Sequence, residues 1–244
     1  MSGNTTENGE NGENGANGPG KGRTRILGAL RRSLGREELP AAVREELTAR
    51  LSAPKSNLIP ARSDGSPADQ VALFTEMAEA VQASVVRVPD GAGVPGAVAE
   101  YLAQNNLPSD IVMAPDAALD NYPWASRPML SMRRGRAEDA DQVSVTGADM
   151  AFAETGTLML TSDATRPSTL NFLPENHIVV LRADQITGAY EQGWRHLRAE
   201  GEDGAFMPRT VNLITGPSRT GDIEQRLQLG AHGPRRLHII IVER

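Results

Sequence analysis

The fold is decided by a stretch near the end of the chain. It opens with Val211-Asn212-Leu213-Ile214-Thr215 and runs on through Gly216-Pro217-Ser218-Arg219-Thr220-Gly221 and Asp222-Ile223-Glu224-Gln225-Arg226-Leu227. Gly230-Ala231-His232-Gly233-Pro234 and Leu237-His238-Ile239-Ile240-Ile241-Val242 complete it. The first run is β-type, the glycine- and proline-rich segment is turn chemistry, and an acid-led segment reads as a helix start. Gly230 to Pro234 reads as a helix stop, and the last apolar run as a buried strand. Strand, turn, helix and strand in this order predict a βαβ unit. Its first turn is then expected at the carboxyl end of a parallel sheet, where α/β proteins place ligands.

Working outward, Ser66-Pro67 supplies an N-cap and a first helical residue, with Val71, Phe74, Ala78 and Val81 as the inward stripe. Val85 to Val88, Asp110 to Ala114 and His177 to Leu181 read as strands, and Pro95 opens a helix that carries Val98 and Leu102 inward. Ala151 to Leu160 reads as small residues entering one strand, and Asp184 to Ala199 as a helix interrupted by Gly188 and Gly193. The basic run Arg133-Arg134-Gly135-Arg136 reads as a solvated loop. This alternation predicts an α/β fold: a three-layer α/β/α arrangement around a mostly parallel sheet, preceded by short N-terminal helices.

Residues 1–22 hold repeated Asn-Gly and little that burial could use, so a disordered tail is expected there. Residues 23–64 are expected to form N-terminal helices and a connector, and residues 65–244 the α/β domain. The segment 23–34 is a basic amphipathic helix, with Ile26, Leu27, Leu30 and Leu34 on one face. It is read either as docking a partner or as packing on its own domain.

Composition narrows the chemistry. The 244 residues carry a formal charge of −6, which argues against a general nucleic-acid binder. With no cysteine there is no thiol nucleophile and no cysteine-ligated cluster on this chain, so any such redox centre belongs to a partner. No run approaches the apolar length of a transmembrane helix, and the first residues lack the basic and apolar regions of a secretory leader; a cytoplasmic protein is expected.

Two stretches are candidates for chemistry. The turn Gly216 to Gly221, with Ser218, Arg219 and Thr220, suits a phosphate or carboxylate if a helix N-terminus follows it. It lacks the Lys of a P-loop and the dinucleotide glycine pattern. Asp222 and Glu224 in the first helical turn would repel a phosphate, so a well-capped turn is the other reading. Glu154, set among Ala, Thr and Gly at a strand edge, is a candidate general base or nucleophile, or an acceptor that locks its turn. Of the four histidines, His177, His196, His232 and His238, none shows metal-ligand spacing. His232 between Gly230 and Gly233 is the candidate functional imidazole.

Four segments carry a resemblance: Ala153-Glu154-Thr155-Gly156-Thr157-Leu158, Leu173-Pro174-Glu175-Asn176-His177-Ile178, Gly216 to Glu224, and Gly230-Ala231-His232-Gly233-Pro234. In their order and spacing they resemble the lactate utilization protein C family, the LUD-domain group. The resemblance spans roughly Ser66 to Val242. It implies a fold similar to that of ribose-5-phosphate isomerase, glucosamine-phosphate deaminase and the CoA-transferases. It also implies support of L-lactate oxidation to pyruvate, as a non-redox component beside iron–sulfur partner proteins, with no cofactor or metal on this chain and a small anionic ligand. The candidate catalytic positions are Glu154, Asp222, Glu224 and His232. The candidate binding positions are Thr155, Gly156, Thr157, Ser218, Arg219, Thr220 and Gly221. A stand-alone enzyme acting on a phosphosugar or CoA thioester through Glu154 is the alternative.

Overall fold

The computed structural model describes residues 19–35, 39–56, 58–199, 207–223 and 226–244. They fall into two units, Met1–Lys55 and Ser56–Arg244. In the first, α1 (Pro19–Ser33) starts before the expected Arg23, because a proline suits a first helical turn. The rest of the expected tail lies outside the described residues. Helix α2 (Ala41–Ser52) has no buried residue, and Ile26, Leu30 and Leu34 are exposed. Among the described residues no helix is long and apolar enough to cross a membrane.

The second unit begins before residue 65. Ser63 is buried, and the Arg62 side chain donates to the Glu154 carbonyl at 2.8 Å. Helix α3 (Pro67–Ala80) follows from the sequence as read. Ser66 Oγ accepts from the Asp69 amide at 3.3 Å, and the Asp69 carboxylate accepts from the Ser66 amide at 3.1 Å, so two otherwise unpaired donors are satisfied together.

The main sheet is parallel throughout. Its strands are β1 (Ser84–Val88), β2 (Asp110–Met113), β3 (Ser131–Arg134), β4 (Val143–Gly147), β7 (Asn176–Arg182) and β12 (Arg236–Val242), in the spatial order β1-β12-β7-β4-β2-β3. The central strands alternate between two cores. Ile178, Val180, Ile240 and Val242 meet α4 (Val94–Gln104), through Val98 and Leu102, together with Leu119 of α5 (Ala117–Asp120). Val179, Leu181, Ile239 and Ile241 meet Phe74 and Ala78 of α3 on the other face.

That second face is shared with a smaller sheet. It comprises β5 (Met150–Phe152), β6 (Thr157–Thr161), β8 (Ile186–Thr187) and β9 (Val211–Ile214), in the order β8-β5-β6-β9. Helix α7 (Tyr190–Ala199) covers its outer side through Leu197, against Phe152 and Met159. The remaining elements are α6 (Thr169–Phe172) and a hairpin of β10 (Arg219–Ile223) and β11 (Arg226–Leu229).

Five expectations are corrected here. Among the described residues there is no βαβ unit in the last quarter of the chain, since β9 pairs antiparallel with β6 in the smaller sheet. The segment read as a helix start at Asp222 forms β10 and, after residues 224–225, β11; Gly221 and the period-2 spacing of Leu227 and Leu229 suit a hairpin better than a helix of so few residues. Ala151 to Leu160 is two antiparallel strands, with Glu154 to Gly156 in the turn between them. Asp184 to Ala199 is α-helical only from Tyr190: Ala183–Gln185 is a 3-10 turn, Ile186–Thr187 is β8, and Gly188 packs so tightly that a Cβ would lie 2.1 Å from the Ser63 carbonyl. The Arg133-Arg134 run is not a loop but the edge strand β3. Its charges suit an unpaired edge, and Arg133 and Arg134 pair with Asp141 and Asp120.

Candidate functional site

The Gly216 to Gly221 segment does not lie where a βαβ unit would put it. The Ser218 amide donates to the Pro234 carbonyl at 2.8 Å, and the Gly230 amide to the Ser218 carbonyl at 3.0 Å. Pro234 stands two residues before β12, so this loop sits at the amino ends of β7 and β12. With β10 in place of a helix after Ser218, the described part of this segment offers no helix N-terminus to an anion.

What the loop does build is a hollow of about 280 Å³, whose walls include His177, Thr215, Ser218, Arg219, His232 and Asn171. Its back is held against the end of α3. Gly216 has φ +76°, and a Cβ there would lie 2.5 Å from the Val81 carbonyl oxygen, so only glycine lets the loop come this close. The Arg219 guanidinium donates to that same Val81 carbonyl, at the C-terminal end of α3.

His177 is fully buried in the wall. Its Nε2 lies 2.8 Å from Thr146 Oγ1, and its Nδ1 has no hydrogen-bond partner among the described residues. Burial pushes its pKa down to about 3, so the ring is neutral near neutral pH. His232, by contrast, is exposed at the hollow.

The Thr155-Gly156-Thr157 segment reaches this hollow indirectly. Thr157, fully buried, lies 2.7 Å from the Thr155 hydroxyl, 2.8 Å from the Tyr190 hydroxyl and 2.6 Å from Thr215 Oγ1, so four hydroxyls form one cluster that ends in the wall. The pairing of β6 with β9 brings these segments side by side. Gly156, at φ +65°, instead packs on α3, where a Cβ would lie 2.4 Å from the Ala78 amide nitrogen.

Glu154 turns away. Its Oε1 accepts from the Tyr190 amide at 3.1 Å, capping the start of α7, and its own amide donates to the Gly188 carbonyl at 3.1 Å. It is buried but is not part of the wall containing Ser218 and His232. Thr220, Gly221 and Asp222 lie on β10, and Glu224 lies outside the described residues. Ser218, Arg219 and His232 are therefore brought together, Thr155 and Thr157 are joined to them through Thr215, and Glu154 is held elsewhere. Sequence reasoning passed over His177, Thr215 and Tyr190. A histidine directly after Pro-Glu-Asn, ahead of an apolar strand, was the available signal for the first.

Among the described residues, no group of three or more His, Asp or Glu is placed to hold a metal ion. The LUD domain family model matches residues 71–242. Lactate utilization protein C of Geobacillus sp. (strain WCH70) is 32% identical over 130 residues, which is 52% of either chain. The protein of the same name from Macrococcus caseolyticus is 35% identical over 101 residues, 41% of this chain and 44% of that one. The chain thus spans about half the length of the curated relatives it matches. Among solved structures, a DUF162 family protein from Deinococcus radiodurans is similar, with TM-score 0.54 and 27% identity, covering 73% of this chain and 99% of that one. With the domain model spanning both cores and the hollow, the chain belongs to the LUD domain family.

Proposed function

We propose that this chain serves lactate utilization as a non-redox component of a system that oxidises L-lactate to pyruvate. The observation that carries the reading is the hollow itself. Ser218, His232 and neutral His177, whose Nδ1 has no partner among the described residues, line a space of small-metabolite size, in a chain whose relatives are named for lactate utilization. A 2-hydroxy carboxylate offers a carboxylate to the Ser218 hydroxyl and the His232 ring, and a hydroxyl to His177.

Oxidising lactate to pyruvate releases two electrons and two protons, which need an acceptor. Iron–sulfur clusters are held chiefly by cysteine thiolates, and this chain has no cysteine. In this reading the clusters sit on partner proteins and this subunit handles the substrate; the protein is cytoplasmic. The test is growth of a deletion strain. Growth on L-lactate should be lost and growth on pyruvate kept. Wild type should restore growth on L-lactate, whereas a Ser218→Ala, His232→Ala double variant should restore it poorly. Undiminished growth on L-lactate in a strain with no second copy would refute the proposal.

A further inference from the structure

A second hollow, of about 500 Å³, lies at the amino ends of β1 and β12, on the α4 side. It shares only Leu237 with the first site, and alternation along β12 puts the two on opposite faces of the sheet: the Leu237 side chain faces α3, while His238 faces α4. His238 and Tyr101 both line it. Each is only 6% exposed, and their rings stack with centroids 4.1 Å apart and planes 13° from parallel.

The hydrogen bonding of this pair is incomplete. Ser84 Oγ lies 2.8 Å from His238 Nδ1 and 3.5 Å from the Leu237 carbonyl, so its shorter contact is with the ring nitrogen. Burial lowers the His238 pKa to about 4, against a backbone hydrogen bond at Ser84 that raises it, so the ring stays neutral; in the tautomer whose Nδ1 accepts from Ser84 Oγ, Nε2 is a donor. That Nε2 and the Tyr101 hydroxyl have no partner among the described residues, an arrangement native interiors seldom keep without a reason. Arg236 adds positive charge that acts on the Tyr101 phenol, and one of its N–H groups is taken by Asn176 Oδ1 at 3.2 Å.

We propose that this hollow binds a small organic oxyanion, whose charged group accepts from Tyr101, His238 and Arg236 while its apolar body lies against Val86 and Ala97. The lining carries two arginines, Arg235 and Arg236, against one acid, Glu100, which suits a single negative charge and so a carboxylate. The proposal is independent of the lactate reading, because none of its donors belongs to the first hollow.

The test is a titration of the full chain followed through the imidazole nitrogen resonances of His238. The probes are benzoate, phenyl phosphate and, as a neutral control, benzyl alcohol. A saturable shift at Nε2 with either anion and none with the alcohol supports the site, and the tighter of the two anions names the class. Tyr101→Phe and Arg236→Gln should each weaken binding by about tenfold. Tyr101→Phe should melt no lower than wild type, since it removes a hydroxyl with no partner. No shift at millimolar concentrations of either anion, an equal shift with benzyl alcohol, or a clearly lowered melting temperature for Tyr101→Phe would overturn the proposal.

Discussion

Replacing Gly156 by alanine tests whether the Glu154-Thr155-Gly156 turn is a buttress for α3 or part of a ligand site. The left-handed backbone at φ +65° costs an L-residue about 1–2 kcal/mol. The new Cβ would also lie 2.4 Å from the Ala78 nitrogen and 2.6 Å from the Met77 carbonyl carbon, which are helix backbone and not a side chain that can swing aside. Ala78 is itself fully buried, so moving α3 disturbs Phe74 and the core beneath it, an overpacking penalty of about 1–3 kcal/mol. The smaller conformational freedom of alanine in the unfolded chain returns about 0.4–1 kcal/mol. The net loss is about 2–4 kcal/mol, or about 5–15 °C in melting temperature for a domain of this size. Gly156→Asn separates the two causes: asparagine tolerates the left-handed region but not the contact, so it should be no better than alanine. Urea unfolding and thermal melts of both variants measure the effect. A Gly156→Ala protein within about 0.5 kcal/mol of wild type would refute the reasoning.

Glu154→Gln keeps an oxygen for the Tyr190 amide and should lose less than about 1 kcal/mol, whereas Glu154→Ala strands that amide and should lose about 1–2 kcal/mol; equal losses in urea unfolding would argue against a capping role. Thr157→Val removes the centre of the hydroxyl cluster and should cost about 1–3 kcal/mol, because Thr155, Tyr190 and Thr215 lose a common partner; a neutral result would show that they re-pair without it. His177 and His238 hold folded pKa values of about 3 and about 4, below the unfolded 6.5. Their contribution is whole above 6.5 and lost as the pH falls toward those values. Moving from about pH 7 to about pH 5 should therefore cost about 2 kcal/mol per histidine. Urea unfolding at the two pH values measures this, and a stability that stays level would contradict the burial of both rings.

The parallel sheet was legible because its central strands are apolar on both faces. Ile239 to Val242 and His177 to Leu181 suit little else, and Ser66-Pro67 announces α3 through its own capping chemistry. What stayed hidden depends on distant partners. Asp222-Ile223-Glu224 carries the acids of a helix start, but Arg219 and Thr220 before it pair with Leu229 and Gln228 across the hairpin, and a local reading does not register that pairing. Glu154 was legible as a buried acid but not in its direction, which is set by an amide thirty-six residues further along. Strand β3 was missed because an edge strand of arginines has the composition of a loop.

Both hollows lie at the amino ends of the main strands, not at the carboxyl ends where open α/β sheets usually place ligands. The cause is local and physical. Strand β9 joins the smaller sheet, so the chain re-enters the main sheet through a hairpin and the His232 loop. Among the described residues, no helix stands between β9 and β12 to bring its dipole to the sheet. At the proposed sites, recognition would then rest on side-chain donors that are neutral or tied: His177 and His238 kept uncharged by burial, and Arg219 held on the Val81 carbonyl. A site built this way favours a small ligand with hydrogen-bonding oxygens over a polyphosphate, which would need the concentrated positive charge of a helix tip or a lysine loop. The same construction makes α3 the common support. Gly156 and Gly216 press on its last turn from two sides, so a change at either glycine should disturb the wall holding Ser218 even though neither residue offers a side chain to a ligand.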